Sequence, residues 1–201
     1  MFALVLKRLD TLLLTIWVGG ILTMGYVVAP ILFSTLDDRS LAALVAGKLF
    51  SIMAVIGLYC GSLLVFLVVA GGQSMKQFRP MFMLWLIFEI TGRFANLPGL
   101  YIGIVYLVIF AGYLNLQRET GYYRHWQFWA LVGMLLVTAI GYFYLTPEIK
   151  AMRQSGEAAR ASEAFKALHG TASVLYLLTS VAGLAIVIAG LPKTESGSER
   201  D

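Results

Sequence analysis

Charge is scarce in this chain. Only 13% of its 201 residues are Asp, Glu, Lys or Arg, 59% are apolar, and the mean hydropathy is +0.81. A soluble domain carries about a quarter of its residues as charges, so the composition excludes a water-soluble globule and requires an integral membrane protein. Cysteine is nearly missing as well. Cys60 is the single one, which excludes an intramolecular disulfide and leaves the redox compartment unassigned. The net charge of +4 is spread without any basic block, so nucleic acid is no expected partner and lipid headgroups are. There is no Ser-His-Asp set, no metal-ligand cluster and no glycine-rich phosphate loop. The expectation is a protein that is not an enzyme and holds no cofactor.

What the chain has instead is long apolar runs. About 20 apolar residues are needed to cross a bilayer core, and residues 11–33, 49–72, 126–146 and 168–191 each meet that length without a single Asp, Glu, Lys or Arg. Residues 95–116 are also uncharged, with Pro98 near their start, where a first helical turn tolerates proline. Lys7 and Arg8 precede the first run as in a signal peptide, but the run is too long for a signal core and no small-x-small site follows it, so it is expected to be retained. The tail 192–201 is polar beyond Pro192 and is expected to be disordered. The whole of 1–191 reads as one transmembrane domain.

The stretch "MLWLIFEITGRF", 83–94, places Glu89 and Arg93 one helical turn apart in an apolar run. Thirteen residues separate Arg79 from Arg93, about 20 Å of helix, so the segment spans only if the flanking cations snorkel. An intramembrane carboxylate is by default a functional candidate, yet Glu four residues before Arg is also a favourable helical ion pair. Both readings stand. Lys and Arg divide almost evenly between the two faces for five or for six crossings, so the positive-inside rule does not fix the count.

Helix faces carry further signals. Thr11, Thr15, Gly19, Thr23, Tyr26 and Pro30 recur at three- and four-residue spacing in the first run, as do His169, Ser173, Tyr176, Ser180 and Gly183 in the last. Polar groups facing lipid lack partners, so both faces are expected to turn inward, as packing seams or as a polar path. Gly57 and Gly61 form another small-xxx-small seam, weakly suggestive of a dimer. Met53 and Cys60 share a face and are weak soft-metal candidates, better read as core filling. His125 and His169 read as interfacial residues and not as ligands. "DDRSLAALVAGKLF" (37–50) and "TPEIKAMRQSGEAARASEAFKALHG" (146–170) read as helices lying on the membrane surface.

Trp17-Val18-Gly19-Gly20, "VVAPILF" (27–33), "AGKLF" (46–50), Pro147 and "FKALHGTASVLYLL" (165–178) occur in order. On these motifs the chain resembles the small membrane proteins called domain of unknown function 4149, related to transmembrane protein 205. The resemblance implies four family spans, a long loop before an LHG-containing last helix, and motif positions Trp17, Gly19, Gly20, Pro30, Phe33, Gly47, Phe50, Pro147, Phe165, His169, Gly170 and Ser173. Ala164 stands where the family often has Arg. Residues 73–124 have no place in the four-span plan, and an insertion that preserves it must cross an even number of times. The expectation is therefore an all-α polytopic bundle of six crossings, with five as the alternative, an inserted hairpin at 77–116, and both termini cytoplasmic in a bacterial inner membrane. The leading functional expectation is an accessory or structural subunit of a larger membrane complex or homo-oligomer. The alternative is a small transporter or a drug or metal tolerance factor with a polar path between the first and last spans.

Overall fold

A computed structural model describes residues 2–70, 122–156 and 162–191, and they are helical almost throughout. The first span is α1 (Phe2–Thr23), a π-helical turn (Met24–Val28) and α2 (Ala29–Thr35), and the second is α3 (Arg39–Ala70). After a 3-10 turn at Tyr122–Arg124, the third span runs through α4 (Trp126–Ile140), a second π turn (Gly141–Leu145) and α5 (Thr146–Gln154). The fourth is α6 (Glu163–Ala189). Four stretches are long and apolar enough to cross a membrane, Leu9–Thr35, Arg39–Val69, Trp126–Gln154 and Glu163–Ala189. At 27 to 31 residues each exceeds the ~20 needed for the hydrocarbon core, so the helices project beyond it.

Each span packs against the next, and the fourth closes back on the first. The core is the shared interior of this ring, built from Leu14, Trp17, Val18 and Ile21 of α1, Leu64, Val65, Val68 and Val69 of α3, Phe128, Leu131, Met134 and Leu135 of α4, and Ile186 of α6. Trp17 is wholly buried. Its indole fits a notch made by two glycines of α3, where a Cβ at Gly61 would lie 2.6 Å from the ring and one at Gly57 within 2.9 Å of its Cδ1. The Gly57/Gly61 seam is thus consumed inside the bundle, not at a dimer contact.

The second and third spans are antiparallel. Arg153, near the end of α5, donates from Nη1 to the Ala43 carbonyl at 2.7 Å near the start of α3, and Leu135 meets Gly61 midway along both helices. The end of α3 and the start of α4 therefore lie at the same end of the bundle. Four crossings lie among the described residues. The hairpin expected at 77–116, with Glu89 and Arg93, falls outside them, as does the tail.

Among the described residues, both expected surface helices run on into membrane spans. Asp38 accepts from the amides of Ser40 and Leu41 at 2.7 and 3.2 Å, a side-chain cap that starts α3 at once, and the helix then runs unbroken into the membrane. Thr146–Gln154 continues the third span without a break because the π turn Gly141–Leu145 widens the helix just ahead of Pro147. The break comes later, at Gly156 with φ +104°. Ser162, accepting from the Phe165 amide at 3.2 Å, caps the start of α6.

Candidate functional site

Three spans converge on Tyr176. On α6, Tyr176, Ser180 and Gly183 fall on one inward face, and Ser180 is buried with its hydroxyl bonded back to the Tyr176 carbonyl at 2.9 Å. The Tyr176 phenol crosses to α1 and donates to the Ile21 carbonyl. The ring lies so close over Gly25 that an added Cβ would meet Cζ at 3.1 Å. From α3, Phe50 meets it edge-on, centroids 5.3 Å apart and planes at 89°. One turn further along α3, Met53 fills the space that Gly20 leaves, its Sδ 2.6 Å from where a Cβ would stand. A larger residue at 25 would collide with the rigid Tyr176 ring, whereas at 20 it would only push aside the flexible end of Met53.

The same seam continues inward. A Cβ at Gly183 would lie 2.9 Å from Val18 and 3.1 Å from Met134, so the first, third and fourth spans touch there without an intervening gap.

At the end of the bundle where α3 and α6 begin, Arg153 reaches over Gly47 to the Ala43 carbonyl. Phe165 and His169 stack in parallel one helical turn apart, centroids 6.1 Å, and Lys166 pairs with Glu163 at 2.8 Å on the exposed surface. His125 lies at the other end, leading into α4. The two histidines are therefore separated by the length of the bundle.

Asp10 is the carboxylate that sequence reasoning missed. It shares the inward stripe of α1, four residues before Leu14 and seven before Trp17, and its Oδ1 is buried without a hydrogen-bond partner among the described residues. The i, i+4, i+7 spacing was available in the sequence, but Asp10 preceded the apolar run and so was counted with the terminus.

The polar faces divide differently from expectation. Thr11, Thr15, Thr23, Tyr26 and Pro30 are exposed, and so are His169, Gly170 and Ser173, while Tyr176, Ser180 and Gly183 turn inward. The exposed hydroxyls need no second helix because they bond their own backbone: Thr15 to the Thr11 carbonyl at 2.7 Å and Ser173 to that of His169 at 2.9 Å. Among the motif positions, Trp17, Gly20, Gly47 and Phe50 make interhelical contacts. Phe33 and Pro147 are exposed. Gly19 has nothing within 4 Å of an added Cβ. Met53 and Cys60 are not brought together with further ligands; the thioether is taken up by the Gly20 notch, and Cys60 belongs to the core.

The family model described as Domain of unknown function (DUF4149) matches residues 12–100 and 99–158. The chain belongs to this family. The DUF4149 match includes Trp17, Gly20, Gly25, Gly47, Phe50 and Pro147 and ends before Phe165, His169 and Tyr176. Its two pieces meet at residues 99–100, within the stretch read as an insertion. No curated protein and no solved structure matches this DUF4149 chain.

Proposed function

We propose that this protein is a non-enzymatic accessory or structural membrane subunit that packs against other membrane helices, in a larger complex or as a homo-oligomer. The observation that carries this reading is the outer face of α1. Thr11, Thr15, Gly19 and Thr23, spaced four residues apart, lie along it, and among the described residues nothing approaches within 4 Å of a Cβ placed on Gly19. Such small-residue faces let a neighbouring backbone come close, which is what drives association in lipid, where apolar side chains gain nothing by leaving the bilayer. The bundle's own contacts are satisfied elsewhere, by the Trp17 notch and the Tyr176 nook.

In this reading the chain lies in a bacterial inner membrane with both termini cytoplasmic, and 77–116 adds a hairpin, making six crossings, whose "MFMLWLIF" segment offers a second docking face. A transporter with a polar path between the first and last spans is less well supported, since Gly183 and Tyr176 sit directly against Val18 and Gly25.

Native mass measurement after gentle detergent extraction tests the proposal. The expected mass exceeds the 22.1 kDa of one chain, either as a multiple of it or with a second polypeptide. Gly19→Leu should return the protein to a single chain without lowering its melting temperature. A wild-type protein that is monomeric and alone would overturn the reading.

A further inference from the structure

The π turns Met24–Val28 and Gly141–Leu145 each end two residues before a proline, Pro30 and Pro147. In both, the amide just after the turn reaches five residues back: Ala29 to the Met24 carbonyl and Thr146 to that of Gly141. The wider turn has a physical cause. In α register a proline ring presses on the carbonyl four residues earlier and leaves it without a donor, and a five-residue turn relieves the clash. Within a membrane the disturbed carbonyls still need donors, because no water reaches them.

The two turns are braced differently. In the third span Thr146 Oγ1 donates at 2.8 Å to the same Gly141 carbonyl that its amide reaches. The equivalent position in the first span is Ala29, which has no hydroxyl. There the bracing hydroxyl belongs to another helix: the Tyr176 phenol donates to Ile21, three residues ahead of the π turn, while its ring lies against Gly25 within the turn and against Phe50.

We propose that Tyr176 is a latch on a proline hinge in the first span, fixing the π turn and hence the direction of Ala29–Thr35, whereas the hinge of the third span carries a hydroxyl bond of its own, from Thr146. The fourth span thereby controls the outer end of the first and the loop that leads into α3. Loss of the phenol bond removes a cross-helix tie three residues ahead of the π turn. The segment beyond can then change its angle or its rotation about the axis, by ~100° if one residue leaves the turn.

Hydrogen exchange of the full chain in lipid nanodiscs, read by peptide mass, tests this. Tyr176→Phe keeps the ring against Gly25 and Phe50 and removes only the hydroxyl. Exchange in 25–29 should accelerate about tenfold, the factor expected for one lost hydrogen bond, with 141–146 unchanged. Thr146→Val should do the reverse. If Tyr176→Phe does not accumulate, Gly25→Ala displaces the phenol from the other side and should accelerate the same segment. Unchanged exchange in 25–29, or equal acceleration in both π turns, would overturn the latch.

Discussion

At the scale of single residues, the glycines separate into those that receive a neighbour and those that do not. Gly61 receives the Trp17 ring and Leu135, whereas Gly133 has nothing within 4 Å of an added Cβ. Gly61→Ala should therefore cost about 1–3 kcal/mol through overpacking against a wholly buried indole. Gly133→Ala should be neutral or stabilising by about 0.5–1 kcal/mol, since alanine is the better helix former. Thermal melting of both variants in one detergent checks the contrast. Asp10 supplies the opposite case, a polar atom with no partner. Replacing it with Leu should raise stability by about 1 kcal/mol, because a shielded unsatisfied acceptor is destabilising and apolar replacement removes it. A fall in melting temperature would mean that the carboxylate is bound in the folded protein.

Elements show where local signals compete. Pro147 and the acidic start of "TPEIKAMRQ" look like a new helix at the membrane surface, and by local rules they are one. The π turn ahead of them absorbs the proline, so the third span simply continues to Gln154. Arg153 then holds that extension against the start of α3 through the Ala43 carbonyl. Arg153→Gln should lower stability by about 1–3 kcal/mol, the range for a charge-assisted bond, and should speed limited proteolysis after Gln154. Ser162→Ala should cost a further ~1 kcal/mol by removing the cap of α6. Equal proteolysis rates in wild type and Arg153→Gln would show that this bond does not anchor the extension.

For the whole molecule, antiparallel packing of the second and third spans puts the end of α3 and the start of α4 at one end of the bundle, as an even number of crossings requires. A reporter active only outside the cytoplasm, fused in the loop at Asp37, should be active, and the same reporter fused after Leu191 should be silent. Activity at both sites would contradict an even number of crossings. The bundle also repeats itself in a way the residues conceal. Each half is a helix with a π turn two residues before a proline, followed by an uninterrupted helix. The halves share almost no sequence, because what recurs is a backbone solution to a proline in lipid, and different side chains complete it.

The sequence by itself determined the class of protein, the four apolar spans and the family. Those follow from hydropathy over some 20 residues and from short motifs, quantities that need no partner to be read. Most of the family positions that make contacts, Trp17, Gly20, Gly47 and Phe50, were also legible, though not what they touch. Only the tertiary structure decided which small-residue seams are used. Gly57 and Gly61 face a tryptophan while Gly19 faces outward, and nothing in the spacing distinguishes them, since both repeat every four residues. It likewise decided that Thr15 and Ser173 satisfy themselves while Tyr176 reaches another helix. A hydroxyl on a short side chain bends back to its own carbonyl, whereas a phenol is too long and rigid to do so and must find an acceptor elsewhere.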